Sequence, residues 1–252
     1  MISYVPDSRR PILEPPERNP LPFAPRPSPG GARVGQFDLV GTAHFTRRSV
    51  AEAIAAASSA SYSSVALELD RRRFAELDEG AFAAPPGYRA LAEGEFVAAA
   101  DAFGNRDGDI WLIDMNMDEI RARIGRRLTW RELAAWNEVS RRLAPYEAAG
   151  TRLWESGRED EAMRYLDLTT RAMESYSPTL FRVLIEERNL VMAARLGEVA
   201  SRSEERTLAL VGKAHVDAIS KLLADPRSIQ EGLRRNGLNY SPPVRIRRAK
   251  VN

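Results

Sequence analysis

Four short apolar runs constrain this chain most: 37–40, 65–70, 108–114 and 207–211. Each has strand length. The first three are separated by helical patterning: an alanine-rich segment to about Ala60, a short helix over 71–77 and a longer one over 88–103. Strand and helix alternating at this spacing predict crossover connections and a parallel sheet. Between the third and fourth runs, from Met115 to about Ser201, the pattern is helical almost throughout. Capping-box spacing occurs at Ser49 to Glu52 and again at Thr129 to Glu132, and breaks are expected at Gly157 and Pro178. The fold class that follows is α/β, with a central parallel-type sheet and a large helical insertion (about 115–201) between strands three and four.

Three segments are expected. Residues 1–36 are crowded with proline and end in Gly30-Gly31. Proline fixes φ and removes a donor, so this stretch reads as an extended arm. Residues 37–225 form the α/β domain. Residues 226–252 carry Pro242-Pro243 and a basic cluster (Arg245, Arg247, Arg248, Lys250), which reads as a solvated tail.

In an open parallel sheet, ligands bind outside the carboxyl ends of the strands. Here those ends are polar. The first run leads into Gly41-Thr42-Ala43-His44 and the fourth into Gly212-Lys213-Ala214-His215. These are the chain's two histidines, and both close the same Gly-x-Ala-His pattern. Glu68 and Asp70 end the second run and Asp114 the third. Glycine directly after a strand suggests a positive-φ turn, with each imidazole near the next helix. The positive end of that helix favours the neutral, metal-binding imidazole. Two histidines and a carboxylate are a common divalent-metal set.

Bland readings stand beside these. Asp70 can cap the helix beginning at Arg71. Glu187-Arg188-Asn189 can be a solvated helical face, or Arg188 can orient a carboxylate. Asp114 can pair with an arginine. Lys213 is a weak anion-steering signal without the rest of a phosphate loop. Glu68 is harder to dismiss, because Leu67 and Leu69 flank it and a buried carboxylate needs a partner.

Composition removes whole classes of function. With no cysteine there are no disulfides, thiolate metal sites or cysteine nucleophiles, and a reducing compartment fits. A net charge of +2 gives no basic field for nucleic acid. No apolar run is long enough to span a bilayer, and the N-terminus lacks a signal pattern. The expectation is a cytoplasmic protein without nucleic-acid or membrane partners; a homodimer is compatible with it.

Four motifs in this order resemble the TraB family: Val40-Gly41-Thr42-Ala43-His44, the run from Val65 to Phe74, Glu187-Arg188-Asn189-Leu190-Val191-Met192-Ala193, and Val211-Gly212-Lys213-Ala214-His215-Val216. That group includes the pheromone-shutdown proteins PrgY and TraB. More distantly it includes GumN, the Tiki proteases and the EreA/ChaN-like fold. The resemblance runs from about 37 to 225. It implies that His44 and His215 match the family's paired Gly-x-x-His motifs and that Glu68 and Asp70 match its strand-borne acids. Its Glu-Arg-Asp-x-x-Met-Ala helix matches 187–193, with Asn189 departing where many relatives have Asp. Tiki relatives are divalent-metal peptidases, pheromone-shutdown members act on small peptides, the esterase branch is metal-independent, and ChaN-like relatives bind haem. Some relatives carry C-terminal membrane helices; this chain has none.

The leading expectation is a metal-dependent hydrolase, a peptidase with a peptide substrate. His44, His215 and Glu68 would hold Mn²⁺, Co²⁺ or Zn²⁺, with Glu68 or Asp70 as general base. Arg188 would stabilise negative charge or fix a substrate carboxylate, and Glu187, Asn189, Lys213 and Asp114 would line the substrate. The alternatives are a peptide- or haem-binding module and a metal-free esterase with His44 as general base.

Overall fold

A computed structural model describes residues 32–44, 46–59, 61–83, 94–104, 108–202 and 205–246. The proline-rich stretch 1–31 and the last basic residues, 247–252, lie outside the described residues.

The centre is a six-stranded sheet of β1 (Ala32–Val34), β2 (Phe37–Thr42), β3 (Ser64–Leu67), β4 (Asp109–Leu112), β5 (Thr207–Gly212) and β6 (Val244–Ile246), in the order β1-β2-β5-β3-β4-β6. The four inner strands are parallel, and both edge strands are antiparallel. The mixed α/β class read from the sequence holds. The last strand in the parallel set, β5, inserts between β2 and β3. The carboxyl ends of β2, β5, β3 and β4 therefore stand side by side along one edge.

Alternation along the strands builds two cores, as the period of two requires. Leu39, Ala66, Trp111, Ala209 and Val211 face one side, where α8 (Arg188–Arg202), α9 (Lys213–Ala224) and α10 (Pro226–Arg235) pack. Val65, Leu67, Ile110, Leu112, Leu208 and Leu210 face the other, against α1 (Arg47–Ser58), α2 (Arg71–Ala83) and α3 (Gly94–Gly104). On that side Phe96 and Phe103 are fully buried, each contributing about 1.5–3 kcal/mol. Between β4 and β5 run α4 (Met117–Arg127), α5 (Trp130–Glu155), α6 (Glu159–Tyr176), α7 (Pro178–Phe181), a π-helical segment (Arg182–Glu187) and α8. The expected capping box at Thr129 and Glu132 is present at the start of α5.

Several expectations are corrected. Among the described residues, strand structure is already present at Ala32, upstream of the expected first strand at Phe37, because β1 extends the sheet edge beside β2. Helix α1 is capped by Thr46, whose hydroxyl accepts from the Ser49 N–H (3.1 Å), three residues before the predicted start. The described part of the expected solvated tail, residues 226–246, is instead part of the fold. Ile229, Leu233 and Leu238 are buried in the core, and β6 closes the sheet beside β4. The helix predicted over 88–103 is seen from Gly94; residues 84–93 lie outside the described residues. Among the described residues no helix is long and apolar enough to cross a membrane.

Candidate active site

The four parallel strand ends bring His44, Gly212, Glu68 and Asp114 to neighbouring positions on one rim. His215 follows in the first turn of α9, whereas His44 precedes the cap of α1.

Glu68 is the hub. It is 2% exposed, immediately beyond β3. Oε2 accepts from the Gly212 N–H (2.5 Å), Oε1 accepts from Arg188 Nη2, and Oε1 lies 3.4 Å from His215 Nε2. Burial alone raises the Glu68 pKa, but positive charge from His215, Arg188 and His44, with the Gly212 N–H, outweighs it and holds the group at about 2. His215 is itself pushed below its ordinary value, by burial first and by Arg188, against the opposite pull of Glu68 and Asp114. At neutral pH the cation that faces Glu68 is therefore Arg188. Burial disfavours that charge too, yet Asp114 and Glu68 more than reverse it, so the Arg188 pKa is raised.

Each imidazole is pinned from behind. His44 Nδ1 donates to Glu95 Oε1 (2.7 Å), a carboxylate 1% exposed that also accepts from Thr42 Oγ1 (3.2 Å). His215 Nδ1 donates to Asn189 Oδ1 (2.7 Å). With a proton on Nδ1, the neutral form of each ring carries its lone pair on Nε2. Both Nε2 atoms point to the Glu68 side of the rim. A Cβ on Gly212 would lie 2.7 Å from His44 Nε2 and 3.4 Å from Glu68 Oε2. Glycine is needed here for close approach, not for a left-handed turn: neither Gly41 nor Gly212 has positive φ, contrary to expectation. At Gly41 a Cβ would meet Lys213 Cδ at 2.6 Å, because the start of α9 crosses directly over the end of β2.

The remaining predicted residues separate into supports. Asp114, fully buried, accepts from Arg188 Nε (2.9 Å) and Nη2 (2.8 Å), Arg73 Nη1 (2.7 Å) and the Met115 N–H (2.7 Å). Arg188 is thus shared between Asp114 and Glu68, so it is committed within the protein instead of waiting for a substrate carboxylate. Asp70 is a cap: Oδ1 accepts from the Arg72 and Arg73 N–H groups (2.7 and 3.0 Å), and Oδ2 from the Met117 N–H (3.1 Å). Glu187 faces away, held by Arg123 (2.5 Å) and Arg127 (2.6 Å). The aliphatic stem of Lys213 lies on Gly41. Sequence reasoning missed Glu95, Thr42, Arg73 and the π-helical segment. The available signal for Glu95 was a carboxylate at the start of a Phe-, Val- and Ala-rich helix.

Among the described residues no three His, Asp or Glu side chains form a set able to hold a metal ion. Glu68 supplies the physical reason. Both of its oxygens are taken, one by a guanidinium and one by a backbone N–H, and a fixed positive charge stands where an ion's charge would sit. The expected ion does not fit this arrangement.

Residues 131–230 match the model of the TraB/PrgY/gumN family. Over that segment, less than half of its length, the chain is similar to the TraB/PrgY/gumN family. The segment carries the Arg188–Asn189 helix and His215; His44, Glu68 and Asp114 lie N-terminal to it. The family description names neither the Tiki proteases nor the EreA/ChaN-like proteins. The chain is also similar to an uncharacterized protein, MJ1365, of Methanocaldococcus jannaschii, with 26% identity over 242 residues, 84% of this chain and 58% of that protein. The chain thus spans little more than half of that relative's length. No solved structure matches it.

Proposed function

We propose that this rim is the active site of a hydrolase that cleaves an acyl bond, with a peptide as the substrate class implied by the family resemblance. The observation that carries the proposal is the Glu95–His44 pair. A buried carboxylate fixes Nδ1–H, and the opposite nitrogen is turned into the rim beside Glu68 and Gly212. His44 is 29% exposed at its side chain, while Glu95 is 1%. The reactive ring thus reaches solvent and its anchor does not.

In this reading, His44 Nε2 takes a proton from water as the water oxygen bonds to the acyl carbon. Glu95 stabilises the resulting imidazolium without taking the proton, and the imidazolium then delivers it to the leaving group. Helix α9 begins without a side-chain cap, so its positive end is placed to stabilise the developing oxyanion. Arg188, Asp114 and Arg73 hold Glu68 rigid, and Glu68 holds the Gly212 backbone. The edges of both imidazoles meet charged groups, surroundings better suited to water chemistry than to seating a flat apolar macrocycle such as haem.

The test is hydrolysis of a mixed peptide and ester panel by the purified chain, with and without chelator. Wild-type activity should survive chelation. His44→Ala should lose about 10²–10⁴-fold and Glu95→Gln a large part of that. Wild-type rates in His44→Ala would end the proposal; activity that vanishes with chelator and returns with Mn²⁺ or Zn²⁺ would replace the His44 mechanism with a metal one.

A further inference from the structure

The α5–α6 hairpin is long, and it is fastened at both ends. At its base, Glu132 accepts from the Thr179 N–H (3.0 Å) and hydroxyl (3.2 Å), joining the start of α5 to α7. From α7 the chain continues through the π-helical segment to Arg188. At its tip, α5 touches α1 and α6 touches α9. Those are the helix that begins just after His44 and the helix whose first turn carries His215. The hairpin therefore crosses from the α4–α7 side to the β2–β5 side of the rim.

At the tip, the Arg48 guanidinium joins α1 to both helices of the hairpin. Arg48 lies in the first turn of α1, four residues beyond His44. Its Nη1 donates to the Trp154 carbonyl (3.2 Å), Nη2 donates to Glu159, and Nε donates to Glu52 (2.6 Å). Glu155 accepts from the Arg47 and Arg48 N–H groups (2.6 and 3.1 Å), adding a second acceptor at the start of α1 beside Thr46. Gly157 makes the turn at φ +83°, and a Cβ there would stand 2.8 Å from Arg48 Nη1. The turn closes on the guanidinium only with glycine in that place. Trp154 and Glu159 are buried at this contact, whereas Trp130, Tyr146 and Leu168 further along the hairpin are exposed. The hairpin's position thus depends on its ends, and a long surface pair without a core behind it opens more easily than the sheet.

We propose that the α5–α6 hairpin is a cap over the His44–His215 rim, and that Arg48 is the positioning residue that latches it. Taken with the hydrolase reading, on which this clause rests, the cap admits an extended chain or chain end and excludes folded proteins. The latch itself does not depend on hydrolysis.

The test uses the whole chain, where two histidines make site-resolved chemical labelling simple. Diethylpyrocarbonate modification is followed by mass spectrometry, with hydrogen exchange over 150–165 measured in parallel. In Arg48→Ala, labelling of His44 should rise about fivefold or more, exchange at the tip should rise, and His215 should stay protected. Glu159→Gln leaves both acceptors at the start of α1 intact and should move both readouts in the same direction; it decides the matter if Arg48→Ala does not fold. Wild-type labelling of His44 in the folded variants would overturn the cap, and unchanged exchange at the tip would overturn the latch. Neither readout uses catalysis, so failure here is distinct from failure of the hydrolase.

Discussion

The tightest point of the rim is position 212. A methyl group there would fall against His44 Nε2, so Gly212→Ala should displace the ring and cut hydrolysis by about 10²-fold. Thermal stability should change little, which a melting curve run beside the kinetics will show. Arg188 is the opposite case, a residue whose loss is paid in stability. Arg188→Met would strip the guanidinium from Glu68 and Asp114, both buried, and should cost about 3–5 kcal/mol by urea denaturation at neutral pH. The folded-state pKa of Glu68 is depressed, from 4.5 to about 2. A depressed carboxylate lends stability that is complete above its unfolded value and disappears as pH falls through the folded one. Wild-type stability should therefore drop between about pH 4.5 and 2, and Arg188→Met should show a shallower drop in the same titration. At this scale the sequence was readable where a residue contradicts its neighbours: Glu68 between leucines needed a partner and has three. It was silent where identity is shared, since nothing in Arg71-Arg72-Arg73 marks the third arginine as the one that reaches Asp114. Glu95 carried a local signal, but its pairing with His44 spans 51 residues, and only the packing of α3 against α1 creates it.

At the scale of elements, the parallel strands were legible because each is a short apolar run followed by a polar turn. Helix α10 was hidden by its charge. Ile229 and Leu233 lie at i, i+4 spacing, yet Pro226 and the arginines around them read as tail. The structure packs that helix so closely on α8 that a Cβ at Gly232 would come within 2.4 Å of Leu190 Cδ2. Gly232→Val should overpack this seam and destabilise the protein by about 1–3 kcal/mol in thermal unfolding. A wild-type melting point would mean that α10 is dispensable to the core. The π-helical segment was also unreadable, because Leu180, Val183, Leu184 and Val191 fit a regular helical stripe. Segments of this kind concentrate at functional sites. Here it ends where Glu187 turns to Arg123 and Arg127 while the next residue turns into the rim.

For the whole molecule, what matters is strand order. Sequence spacing predicted parallel strands with polar carboxyl ends, but not that β5 slips between β2 and β3. That insertion makes the two Gly-x-Ala-His turns neighbours and sets Glu68 directly beside them. Residue types alone did not reveal that Arg188 arrives at the same place from a helix remote in sequence and pairs with Glu68. The central claim is that His44 and His215 serve one centre, and a double-mutant cycle on hydrolysis tests it most directly. If the two share a site, the His44→Ala/His215→Ala chain should be scarcely slower than the worse single mutant, because groups acting as a unit are not additive. Losses that multiply, as for two independent sites, would contradict the account.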